Sequence, residues 1–117
     1  MVNPMEQLRY ILCNKLSASK FVLYPSMIEW DDKYVNNDKN WTVYIPRKEC
    51  ISAISPIKIN IYWTGDDKNP GAYSITIEIN NIKDVNWLIK TLRGSNTFEQ
   101  LNMAHNRYNV ERLIEKL

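Results

Sequence analysis

The sequence predicts an α+β fold over residues 1–117. It reads as one domain in which an antiparallel sheet of three to four strands carries helices, one N-terminal and two to three C-terminal, mainly on one face. Three observations lead there. Two runs, 57–63 and 73–80, alternate with a period of two, placing Ile57, Ile59, Ile61 and Trp63, and then Tyr73, Ile75, Ile77 and Ile79, on a single face. An amphipathic stripe of helical period precedes them, and further such stripes follow. Helices segregated from strands in this way cover one side of a sheet and leave the other free.

Taken in order, the first helix starts at Asn3, a good N-cap, with Pro4 at the first helical position and Glu6 placed for a capping box. Leu8, Ile11, Leu12 and Leu16 form its stripe, and the Ser-Ala-Ser of 17–19 ends it. Residues 21–24 are β-prone and stop at Pro25. For 26–35 a short helix is expected, because Ser26 and Glu29 form a capping-box pattern and Met27, Trp30 and Tyr34 share a helical face; a strand is the alternative. A turn at 36–40 leads into a strand, with Trp41, Val43 and Ile45 alternating against Thr42 and Tyr44. Pro46 opens a short helical turn bearing Cys50, Ile51 and Ile54, which Pro56 terminates.

The hairpin that follows has a register supported on both faces. Trp63 opposite Tyr73 also sets Ile61 against Ile75 inside and Lys58 against Glu78 outside, with Ile59, Ile61, Ile75 and Ile77 in the core. Asn81 caps a second helix whose stripe is Ile82, Val85, Leu88, Ile89 and Leu92, with Asp84 in its first turn, Lys90 and Arg93 near its end, and Gly94 as the C′ residue. A third helix starts at Thr97, with Gln100 three residues on. Phe98, Leu101 and Tyr108 share one face, whereas Val110, Leu113, Ile114 and Leu117 share another, rotated by well over 90°. Burying both faces requires a break or bend near 106–109.

Composition narrows the function more than it names it. With 44% apolar and 24% charged residues the chain has enough apolar content for a core, and a net charge of +2 lacks the basic excess of a generic nucleic-acid binder. No apolar run approaches a membrane span, and 1–6 has neither a basic nor an apolar leader region, so a cytoplasmic protein without membrane association is expected. Cys13 and Cys50 lack C-x-x-C spacing and read as reduced structural thiols, with a disulfide between them as the alternative. Asn, Ile and Lys make up about a third of the chain, a bias toward A/T-rich codons.

Candidate chemistry is sparse. His105, the one histidine, has Leu101, Asn102, Tyr108 and Asn109 as helical neighbours and no acid, which reads as a structural histidine. Asp31-Asp32-Lys33 and Asp66-Asp67-Lys68 match the D-x-K fragment of metal-dependent nucleases, but a metal site needs a further acid brought beside that fragment on a sheet, and three-residue matches arise by chance in chains of this composition. Three glycines cannot build a phosphate cradle. No enzyme activity, cofactor or metal is therefore expected.

Two surfaces remain. The alternation that buries Val43 and Ile61 turns Tyr44 and Tyr62 outward, beside Lys58 and Asn60, and such tyrosines suit protein recognition. The third helix gathers Gln100, Asn102, Asn106, Arg107 and Asn109, side chains able to read base edges, although only Arg93, Arg107, Arg112 and Lys116 lie near to hold phosphates. The expectation is a small non-enzymatic protein-binding module or inhibitor. Its partner would be a protein, such as a nucleoprotein or nuclease, with weak or absent direct nucleic-acid binding. A phage or mobile-element accessory factor of the anti-defence (anti-CRISPR-type) kind, or an immunity protein, fits this description. The alternative is a DNA- or RNA-binding regulator using helix 97–109.

Overall fold

The computed structural model describes residues 3–24, 30–68 and 70–117. Helix α1 (Pro4–Ala18) is capped by Asn3, whose side-chain oxygen accepts from the amides of Met5 (2.9 Å) and Glu6 (3.3 Å). Five antiparallel strands follow: β1 (Val22–Tyr24), β2 (Asp31–Asn36), β3 (Trp41–Pro46), β4 (Ile57–Gly65) and β5 (Pro70–Ile79), and they lie side by side in chain order. A 3-10 turn, Lys48–Cys50, sits between β3 and β4; Cys50 and Ile54 are exposed, while Ile51 packs on the core. Helices α2 (Ile82–Gly94) and α3 (Phe98–Glu115) complete the chain.

The hairpin register agrees with the sequence reading at every pair named above: Trp63 opposite Tyr73, Ile61 opposite Ile75 and Lys58 opposite Glu78. Ile59, Ile61 and Ile77 are buried, and Ile75 is partly buried against the same core. That core is one cluster, drawing Leu12 and Leu16 from α1, Val85, Leu88 and Leu92 from α2, Leu101 from α3, and the inward residues of β3 to β5.

Three expectations need correction. There are five strands, not three to four, because 31–36 is a strand and not part of a short helix; the Ser26–Glu29 portion of that expected helix lies outside the described residues. Its inward positions are Asp32, Tyr34 and Asn36, so its alternation is hidden by polar side chains. Those side chains are satisfied from elsewhere in the fold. Asp32 pairs with Arg9 of α1 and with Arg47, and the Asn36 amide donates to the carbonyl of Ser19 (3.4 Å).

Secondly, α3 runs unbroken through 106–109. It does not bury its second apolar face; Val110, Leu113 and Ile114 are 55%, 64% and 62% exposed. Continuous i to i−4 hydrogen bonding is worth keeping even where the side chains gain nothing from burial, since a break would orphan backbone groups. Thirdly, Gly94 is the last helical residue and not a left-handed C′ residue; Ser95 is the C-cap, with extended backbone.

Candidate functional site

The sheet has one face under the helices and one facing away, and registry across all five strands defines the second. One row runs Val22, Val35, Thr42, Tyr62, Ser74; the next runs Tyr24, Lys33, Tyr44, Asn60, Thr76. Lys58 and Glu78 lie beyond them. Period-two geometry puts all of these opposite the buried Tyr34, Val43 and Ile61 and the partly buried Ile75. Val22, Tyr24 and Tyr62 are exposed, and Tyr44, Thr42 and Asn60 are half-buried among their neighbours.

Tyr44 and Tyr62 are diagonal neighbours on β3 and β4, and their rings meet edge to face with centroids 5.4 Å apart at 84°. This is a favoured arrangement for aromatic quadrupoles and holds both rings in place. Thr76 donates its hydroxyl to the Asn60 side-chain oxygen at 2.7 Å, a bond that does not use the Asn60 amide hydrogens. The Asn37 amide reaches the Tyr24 hydroxyl at 3.5 Å. The result is a five-strand-wide surface with three tyrosines, two valines and a polar surround.

The predicted site residues therefore divide into two groups. Tyr44, Tyr62, Lys58 and Asn60 come together on this face. Gln100 and Arg107 line a cleft between α2 and α3 together with Lys90, and Asn106 is exposed but is not among that cleft's lining residues. Gln100 is occupied as a cap: its amide donates to Thr97 Oγ1 (3.3 Å) and its side-chain oxygen accepts from the Asn96 amide (2.7 Å). Asn109 is held by Arg112 and by His105 Nε2 (3.3 Å). Of the basic residues expected to support a reading helix, Arg112 stacks over the Tyr108 ring at 4.7 Å and Arg93 donates to Ser19 Oγ at 3.2 Å. Gln100 and Asn109 of the amide-rich helix are thus engaged in internal contacts, while Asn106 and Arg107 stay exposed.

Sequence reasoning missed Val22, Tyr24, Lys33 and Val35 as members of the sheet face. The alternation of Asp31, Lys33 and Val35 against Tyr34 was the signal that could have found the last two.

The remaining candidates are placed without a shared chemistry. Asp31 and Asp32 are consecutive strand residues and point to opposite faces; Asp32 is tied to Arg9, while burial, and then the neighbouring Asp32 charge, raises the Asp31 carboxyl. Asp66 accepts from the Lys68 amide at 3.0 Å within the β4–β5 loop. His105 is half-buried beside Trp87, with ring centroids 6.0 Å apart, and burial followed by the Arg112 charge lowers its pKa. Cys13 is buried and its thiol is pushed up by burial, which keeps it protonated; Cys50 is exposed, and both cysteines are free. Among the described residues no group of three His, Cys, Asp or Glu side chains is placed to hold a metal ion, and no helix is long and apolar enough to cross a membrane. Comparison with known protein families, with characterised proteins and with solved structures gives no match.

Proposed function

We propose that this protein acts without catalysis, by laying the outer face of its sheet on a partner protein. The observation that carries the reading is the Tyr44–Tyr62 edge-to-face pair at the centre of a face on which Val22, Val35 and Tyr24 continue the apolar area. Rigid aromatic side chains with polar tips, ringed by Thr, Ser, Asn and Lys, are the composition of binding anchors and their rim. The size and this surface suit an accessory factor of a phage or mobile element, of the anti-defence or immunity-protein kind, whose target is a nuclease or nucleoprotein.

The test replaces Tyr44 and Tyr62 with alanine, separately and together, and confirms folding by circular dichroism. Capture of a partner from the source host is then measured, with Gln100→Ala and Arg107→Ala as controls on the helical side. Truncating a true anchor costs about 2 kcal/mol or more, a loss of roughly thirtyfold in affinity. Undiminished capture by the folded tyrosine variants sinks the assignment. Nanomolar binding of a nucleic acid, abolished by Arg107→Ala, would replace it with the regulator reading.

A further inference from the structure

A separate cavity of about 370 Å³ opens where the end of α1 meets α2 and the β2–β3 turn, remote in register from the tyrosine pair. Its floor is apolar, formed by the buried side chains of Phe21, Ile89 and Leu92. Its rim is cationic: Lys20, Lys39 and Arg93 line it, against one carboxylate, Asp38. Three positive charges less one negative leave +2 at this mouth, equal to the net charge of the entire chain. Among the described residues, none of the three cations forms an ion pair with a carboxylate.

The rim is built from fixed groups. Lys39 spans from its turn to α2, donating to the Arg93 carbonyl and to Asn96 Oδ1 (3.3 Å), so two of its three ammonium hydrogens are committed and one is left. Arg93 is anchored through Nε to Ser19 Oγ at 3.2 Å, which leaves its terminal nitrogens available. Ser19 is itself buried and retains its hydroxyl hydrogen as a donor.

Lys20 carries the most pointed observation. It follows the C-cap of α1 with φ of +70°, while the Phe21 amide closes back on the Leu16 carbonyl at 3.1 Å, the wrap by which helices ordinarily end on glycine. A lysine there bears the strain of a left-handed backbone that glycine would not. Folding gives no reason for it, because the side chain is exposed and holds no partner among the described residues. Its position at the cavity mouth does.

We infer that this cavity binds a small amphipathic monoanion, an organic carboxylate whose alkyl or aryl body fills the apolar floor while its headgroup meets Lys20, Lys39 and Arg93. The volume lies within the range of small-molecule sites, and an apolar lining with a few convergent donors is their usual chemistry. An uncharged apolar ligand would leave the rim unused, and inorganic phosphate would leave the floor unfilled.

Octanoate is the probe, followed by ¹⁵N–¹H spectra of the intact chain, with 1-octanol, acetate and inorganic phosphate as comparisons. The expected result is saturable shifts confined to the amides of 18–21, 36–39 and 89–93, an affinity for octanoate at least fivefold above that for 1-octanol, and no saturation by acetate or phosphate. Lys20→Gly separates binding from folding, since it relieves the left-handed backbone while removing one charge. Its thermal midpoint should hold or rise, and its octanoate affinity should fall about two- to fivefold, the range for an exposed charge contact. Arg93→Gln should lower it further. Equal binding of octanoate and 1-octanol, shifts centred on the exposed stripe of α3, or unchanged affinity in folded Lys20→Gly would each overturn the inference.

Discussion

Replacing Asp84 should undo the docking of α3 on α2, and the structure sets the scale. This carboxylate is 2% exposed in the first turn of α2, yet it carries four contacts. Oδ2 accepts from the Asn80 backbone amide at 2.8 Å and the Asn80 side-chain amide at 3.3 Å; Oδ1 accepts from the Tyr108 hydroxyl at 2.6 Å and lies 3.5 Å from Arg112 Nη1. Tyr108 also stacks flat on Trp87, centroids 4.3 Å apart at 6°, so the hydroxyl cannot leave without disturbing that pair. A hydrogen bond to a charged acceptor contributes about 1.5–3 kcal/mol, and stranding buried partners costs about 1–3 kcal/mol more. Asp84→Ala leaves a buried hydroxyl and a backbone amide unmet and Arg112 without its counter-charge, and the sum is held down because water can reach the partly exposed Arg112. The expected loss is about 3–5 kcal/mol, the range for breaking a buried pair. Tyr108→Phe, which removes one donor and keeps the stack, should cost about 1.5–3 kcal/mol. Urea titration followed by Trp fluorescence measures both, and a double-mutant cycle gives their coupling. An Asp84→Ala loss below about 1 kcal/mol, or additive effects of the two changes, would falsify the view that one carboxylate clamps α3.

Other outcomes follow from the same packing. Ile61→Ala, at a fully buried site in the central part of the sheet, should lower stability by about 2–5 kcal/mol in the same titration; an unchanged midpoint would place the wrong face inside. Leu113→Gln should change stability by no more than about 0.5 kcal/mol, because the side chain is already in solvent, whereas a buried second face of α3 would make it severe. His105 titrates below its usual range of about 6.5, mainly through burial, so the unfolded chain binds its proton first. Stability from this group is then complete above that value and declines as pH falls from it toward the lower folded value. His105→Gln should flatten that part of the stability–pH profile, and an unaltered slope would refute the assignment.

How much of this was legible in the sequence depended on whether a residue's role was local. Asn3, Asn81 and Thr97 were readable as caps because capping chemistry acts within three residues, and each does accept the expected amide. The β4–β5 register was readable because apolar and charged pairs agreed. Strand β2 was not. Its inward Asp32 and Asn36 look like surface residues until Arg9, thirteen residues before the β1 strand begins, and Ser19 arrive to satisfy them. The tyrosine face was half legible for that reason: Tyr44 and Tyr62 came from alternation, whereas Val35 and Lys33 needed the strand. The cation-rimmed cavity was illegible, since Lys20, Lys39 and Arg93 are far apart in sequence and meet only through tertiary packing.

The aromatic side chains under the sheet have an optical consequence. Trp41 and Trp63 lie with ring centroids 6.1 Å apart and planes at 40°; Trp63 continues to Tyr73 at 6.1 Å, and Tyr73 to Phe98 of α3 at 5.5 Å. Two indoles held this close and skewed share their excited states, so the far-ultraviolet circular dichroism should carry an exciton couplet superimposed on the helix and strand bands. The couplet belongs to the β3–β4 alignment, not to the amount of secondary structure. A chain that keeps its helices but slides that alignment by one residue would turn one indole to the opposite face and extinguish the signal, giving a direct optical readout of strand registry in dilute solution.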